Sequence, residues 1–234
     1  MVSAKLKKIG DGLQYNIYDL KNGRVLKKPK TTRERIAILK RWQGKKKYSK
    51  SDMDRIVKHA EKTGELTNNV AKKIAQRLNA IDGELFGSPE FSQHAKYTQD
   101  KVMTLGEYIL HHNSGQNRRI LHRYAKSIIR AWEYGLGETV FNFSVNSGID
   151  KKDEIIFIDL GEFTSDRIRV RQMIKIRRWL KSWSYTSMTD LKLKKHYQKV
   201  MESTLTLEAL EKNWRQKYKN NPVMERGRSE GLRV

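Results

Sequence analysis

Ile155-Ile156-Phe157-Ile158-Asp159-Leu160-Gly161-Glu162 is the stretch on which the reading of the fold turns. Its consecutive apolar residues, mostly β-branched, fit a short buried strand. The strand stops at a carboxylate, with a glycine two positions on. Mg²⁺ takes hard oxygen ligands, so an acidic side chain at a strand's mouth is well placed to hold one. Taken alone, the residues read first as a strand ending in a polar turn. What precedes them changes that.

The chain has 234 residues, enough for one two-lobed domain or two small ones with a real core. It has no cysteine, which excludes disulfides and thiolate metal sites. Its histidines show no HExxH-like spacing, so zinc chemistry is not expected. No apolar run approaches a membrane span and the first residues open no apolar signal region, so a cytosolic protein is expected. Forty-nine Lys and Arg against 26 Asp and Glu give a net charge of +23. That balance favours polyanionic partners such as RNA, DNA, ribosomes or an anionic membrane surface; a lysine-rich solvated surface is the plain alternative.

Outward from the opening strand, residues 7 to 28 read as two or three strands with tight turns. Tyr15, Ile17 and Leu20 suit strands, Asn22-Gly23 is a hairpin signal, and Arg24-Val25-Leu26-Lys27 resumes a strand. Gly10-Asp11-Gly12 is expected between the first two strands, where closely spaced glycines let backbone N–H groups approach a phosphate. Residues 31 to 81 read as basic helices. The first is capped by Thr31 or Thr32 and ends at Trp42; the second starts at Ser51; a third spans Thr67 to Ile81. Lys40, Arg41, Lys45, Lys46, Lys47 and Lys50, interleaved with Trp42 and Tyr48, form the best local candidate for an RNA or polyanion patch.

Leu85 to Val102 is expected to be extended, and Met103 to Tyr108 to enter a helix. Asn117 to Tyr134 carries an apolar face at helical spacing, as does Asp166 to Trp183 with Val170, Met173, Ile174, Ile176, Trp179, Leu180 and Trp183. Leu205 to Tyr218 reads as a last helix before a fraying basic tail. The whole is α+β with two lobes divided near residue 103.

These pieces, over about residues 7 to 183, resemble the protein-kinase-like fold. Gly10-Asp11-Gly12-Leu13-Gln14-Tyr15-Asn16-Ile17 is similar to the GxGxxGxV nucleotide loop, with Tyr15 in place of the third glycine. Arg24-Val25-Leu26-Lys27 is similar to the strand that ends in the phosphate-contacting lysine. Lys28 is a rival one register step away; Val25 and Lys27 share a sheet face, and the family spacing selects Lys27. Tyr97 to Val102 resembles the last strand running into the hinge, so backbone groups of Asp100, Lys101 and Val102 are implied to hold adenine. Asn146 stands 13 positions before Asp159, close to the family's separation of its two metal-holding residues. The resemblance therefore implies ATP held between the lobes with Mg²⁺ on Asn146 and Asp159, under Gly10, Gly12 and Ile17 and beside Lys27.

The departures narrow the resemblance. Phe141 stands where the family has its proton-accepting Asp, and a phenyl ring cannot deprotonate a hydroxyl. Asn142 could position a nucleophile but is no useful base. The glutamate that should pair with Lys27 is Glu61, Glu65 or, less suitably, Glu34. The chain after Asp159 runs almost directly into a Trp-rich helix, leaving no room for a long activation segment. In these respects it resembles the bacterial YrbL-type family named for the PhoP regulatory network. An atypical phosphotransferase for a protein or small-molecule acceptor is thereby implied. The alternatives are a pseudokinase scaffold, an adenylyl transferase, and an RNA- or ribosome-associated protein on the same scaffold.

Overall fold

A computed structural model describes residues 6–44, 47–77, 83–92 and 96–214, with side chains of 73–77 left aside. The expectations on Lys45, Lys46, Leu78, Ile81 and the basic tail beyond Trp214 lie outside the described residues. The protein is α+β, and it divides into two compact units. One comprises Met1–Val102 with Ile156–Gly161; the other comprises Met103–Ile155 with Glu162–Val234.

The first unit opens with strands β1 (Lys7–Asp11), β2 (Tyr15–Asp19) and β3 (Arg24–Pro29). Helices α1 (Thr32–Gln43) and α2 (Lys50–Arg77) follow, then β4 (Glu90–Phe91) and β5 (Tyr97–Asp100). The strands form one antiparallel sheet in the order β1-β2-β3-β5-β4. The β2–β3 turn takes its shape from Lys21 and Gly23, both at positive φ, and Asp19 and Asn22 side chains accept from the turn's backbone. Leu20, expected in a strand, lies in this turn, where its N–H donates to the Arg24 carbonyl. Leu85 and Phe86, expected to be extended, form a 3₁₀ turn over Gly83–Phe86.

Thr31 and Glu34 form a reciprocal capping box at the start of α1, and Gly44, at φ 63°, ends that helix. The second and third helices expected from the sequence are one continuous helix, α2, running straight through Gly64. Its buried Ile56 and Ala60 meet Leu39 of α1, with Leu13, Ile36, Tyr48 and Met53 around them.

The second unit contains β6 (Met103–Thr104), α3 (Leu105–His111), α4 (Ser114–Glu133), β7 (Gly137–Glu138), α5 (Phe143–Asn146) and β8 (Ser147–Ile149). After β9 (Ile155–Phe157) come β10 (Phe163–Thr164), α6 (Arg167–Lys175), α7 (Trp183–Thr186), α8 (Leu191–Thr204) and α9 (Leu207–Asn213). Leu121, Tyr124, Ala125 and Ile128 of α4 are buried, and α4 packs on α8 and α9. Tyr124 Oη donates to the buried Glu138 at 2.6 Å, and the Phe143 and Tyr197 rings pack 5.0 Å apart. The single helix expected over Asp166 to Trp183 is broken. Ile176 closes α6, Arg177 sits at φ 48°, and a 3₁₀ turn over Arg178–Lys181 precedes α7. The break buries Trp179 while Ile176 and Trp183 stay exposed, so the apolar spacing does not mark one face. Among the described residues no helix is long and apolar enough to cross a membrane.

The opening stretch belongs mostly to the first unit, whereas the sequence placed it in the second half. Side-chain chemistry explains the change. Gln99 of β5, fully buried, donates through Nε2 to the carbonyls of Phe86 at 2.8 Å and Phe157 at 2.9 Å. The Phe86 and Phe157 rings pack 6.0 Å apart.

Candidate functional site: a buried lysine beside a strand-end aspartate

Strand β3 alternates as a pleated strand must, burying Val25 and Lys27 and leaving Lys28 exposed. Lys27 is only 2% accessible. Its ammonium donates to the Ile158 carbonyl and lies 5.6 Å from the Tyr97 ring centroid. Loss of water around it pushes its pKa down to about 8, against the opposing pull of the Asp159 charge. Asp159 is affected in the mirror sense. Desolvation raises its pKa, while Lys27 and the Gly161 N–H, which donates to Oδ1 at 3.1 Å, lower it. The two charges share one poorly hydrated place without forming a direct ion pair.

The surroundings are aromatic and tight. Tyr15 and Tyr97 are buried and meet edge to face at 5.3 Å. Burial, and then the Asp159 charge, push the Tyr15 hydroxyl's pKa up. Gly161 has a steric reason to be glycine: a Cβ there would stand 1.5 Å from Gln14 Oε1. Gln14, from the turn between β1 and β2, is buried, so that turn is seated directly on the segment that carries Asp159.

The other expected residues fall as follows. Gly10 is in β1, opposite Ile17, not in the turn; a Cβ on it would come 3.0 Å from Ile17 Cδ1. Close strand packing therefore accounts for Gly10, while Gly12 is exposed with open space around it. At the expected hinge, the N–H of Asp100 donates to Gly87 O at 2.8 Å and that of Lys101 to Gly23 O at 2.9 Å. The Val102 N–H donates to no described backbone acceptor. Lys101 Nζ pairs with Asp19 at 2.7 Å.

No described glutamate pairs with Lys27. Glu61 and Glu65 are exposed on α2, and Glu34 is engaged by the α1 cap and by Asn16 Nδ2 at 2.9 Å. In the second unit, Asn146 ends α5 and is half-buried. Phe141, at φ 59°, is buried with its ring 5.9 Å from that of Trp179. The Asn142 Oδ1 accepts from the Trp183 N–H at 2.9 Å, so this side chain anchors α7. In the basic patch Trp42 is 63% exposed, Lys40 lies 5.5 Å from the Tyr48 ring centroid, and Lys47 and Lys50 face solvent. Arg41 reaches Asp11 at 3.3 Å.

Sequence reasoning missed Gln14, Gln99, Tyr97 and the Ile158 carbonyl. Their roles depend on neighbours far along the chain; only the run of buried aromatics around them gave any signal. Chemically, the place offers one carboxylate and one buried cation. Among the described residues no three His, Asp or Glu side chains converge to hold a metal unaided. Asp159 Oδ2 takes no hydrogen bond from a described residue. That donor set suits Mg²⁺, which keeps several waters and completes its shell with substrate phosphates. No protein-family model matches the chain, and no curated protein matches it significantly.

Proposed function

We propose that the chain is a protein-kinase-like, two-lobed module that binds ATP with Mg²⁺. Lys27 neutralises phosphate, Asp159 holds the metal, and Val102 meets the adenine. The observation that carries this reading is a buried Lys27 held beside a half-buried Asp159, each desolvated and each acting on the other's charge. Folding confines an amine and a carboxylate, far apart in sequence, where neither is well hydrated, and such a place favours a polyanion–metal pair. Asn146 enters as the second metal ligand through its spacing from Asp159 and is tested separately.

The base required for ordinary hydroxyl phosphorylation has no candidate at position 141. Phe141 packs against Trp179, and Asn142 is occupied at α7. This supports nucleotide binding without turnover over phosphoryl or adenylyl transfer. Melting temperature measured with and without ATP and Mg²⁺ tests the binding. Saturation at about a hundredfold over Kd stabilises by about 2.7 kcal/mol. For a domain of this size that is a rise of roughly 5–10 °C. Lys27→Met and Asp159→Asn should each abolish the rise, and Asn146→Ala should reduce it. A wild type unmoved by ATP and Mg²⁺, or a full rise in both of the first variants, would overturn the reading.

A second reading, binding of single-stranded RNA, draws support from Trp42. An exposed indole at the end of α1, among Lys40, Arg41, Lys47 and Lys50, is the combination that stacks a base and tracks a backbone.

A further inference from the structure

Arg35 of α1 is 4% exposed, and its Nε meets no hydrogen-bond partner among the described residues. No described carboxylate pairs with its guanidinium. The nearest acid in sequence, Glu34, is turned to Thr31 and Asn16 instead. A guanidinium cannot shed its charge in a protein, so burying it with no carboxylate in direct contact, only the Glu34 charge nearby, is unfavourable. The group is nevertheless held in a made place: a Cβ on Gly64 of α2 would stand 2.7 Å from Nη1 and 3.1 Å from Cζ. A site that makes room for such a charge calls for an anion.

Arg35 lines a cavity of about 480 Å³ together with Lys28, Lys30, Thr31, Thr32 and Lys96, and none of its described lining residues is acidic. Lys30 is buried and bonded to Asp11 and Asn16, whereas Lys28 and Lys96 are exposed and form no ion pair with a described residue. Thr31 and Thr32 open α1, so the positive end of that helix also borders the cavity. The pleat of β3 turns Lys28 to the face opposite Lys27, and neither Lys27 nor Asp159 lines the cavity. This is therefore a different place from the nucleotide site proposed above.

We propose that this cavity is a binding site for a small molecule bearing a diphosphate group. Several cations without partners call for more than one negative charge, and the planar guanidinium matches two phosphate oxygens at once. The volume is that of a small-molecule site, in the range of about 300–1,000 Å³. A nucleic-acid strand engages an open groove and would not reach a side chain as buried as Arg35. A free diphosphate and a nucleoside diphosphate share this chemistry, and the test separates the two.

Calorimetric titration with sodium pyrophosphate, without Mg²⁺ and at ionic strength matched with NaCl, should show saturable binding. Lys28→Gln, on the exposed rim, should weaken it about tenfold, the scale of one charge-assisted hydrogen bond. Arg35→Met should abolish it, and Lys27→Met should leave it unchanged. ADP binding that survives Lys27→Met and falls with Lys28→Gln assigns the site to a nucleoside diphosphate; pyrophosphate binding without it assigns a free diphosphate. The proposal fails if the wild type gives no saturable heat or binds single-stranded RNA but not pyrophosphate. It also fails if Lys28→Gln binds as tightly as wild type, or if Lys27→Met abolishes the binding.

Discussion

Lys27 and Asp159 pull the stability of the fold in opposite directions with pH. The folded-state pKa of Lys27, about 8, lies below the ordinary 10.5, so between these values the unfolded chain binds more protons. Stability from this group therefore rises with pH across that window, by on the order of 3 kcal/mol in full. Asp159 is raised above its ordinary 3.8, so its contribution falls as pH rises from 3.8 through its folded value. Lys27→Met removes the alkaline component. Urea unfolding at pH 8, 9 and 10.5 should show the wild type gaining stability relative to Lys27→Met at each step. A constant difference would mean that Lys27 is hydrated in the folded protein. At this scale one choice was legible: Val25 and Lys27 share a sheet face, the spacing of the resembled family selects Lys27 over Lys28, and Lys27 is the buried one. The partner of Lys27 was not legible. A glutamate was expected and the Ile158 carbonyl takes the proton donor instead, because main-chain acceptors leave no trace in residue identity.

Helix α2 shows what periodicity misses. A new helix was expected to start at Thr67, yet the backbone runs on unbroken through Gly64 and Thr67 Oγ1 donates to the Thr63 carbonyl at 2.7 Å. Gly64 is present because Arg35 of α1 presses on it, a reason that lies on another element. Ordinarily, glycine to alanine inside a helix gains up to about 1 kcal/mol. Here the new methyl meets Nη1 at 2.7 Å, and such overpacking costs about 1–3 kcal/mol. Gly64→Ala should therefore destabilise the wild type and stabilise an Arg35→Ala background, with denaturant midpoints as the readout. The same sign in both backgrounds would show that the helices adjust freely. The broken helix around Arg177 teaches the complementary point. Apolar spacing found the right residues there, but burial of Trp179 required a left-handed residue that the pattern does not encode. By contrast, the start of α1 was readable because it is written locally in the capping box at Thr31. The boxes at Thr104 and Asn113 are as local but went unused, and the expected start of α4, Asn117, lies three residues late.

Across the whole molecule, the excess of 23 positive charges is not absorbed by pairing. Asp11 alone is shared among Lys8, Lys30 and Arg41, so each cation is only partly neutralised. Composition revealed this excess but not its distribution, which depends on which acids fold beside which bases. A chain so charged attracts any polyanion at low salt, so affinity at one salt concentration says little. The slope of affinity against salt is informative, because each neutralised phosphate releases counterions. Contacts from about four cations, the number that Lys40, Arg41, Lys47 and Lys50 supply, give a slope of log K against log salt near −3 for a single strand. Binding of a short oligouridine followed by anisotropy from 50 to 200 mM salt should show about that slope. Joint Lys47→Glu and Lys50→Glu replacement should make the slope shallower and leave the ATP-induced melting shift intact. Trp42→Ala should weaken binding about tenfold or more through lost stacking and leave the slope unchanged. A flat response, or indifference to all three substitutions, would make the charge a solvated surface and remove RNA from the reading.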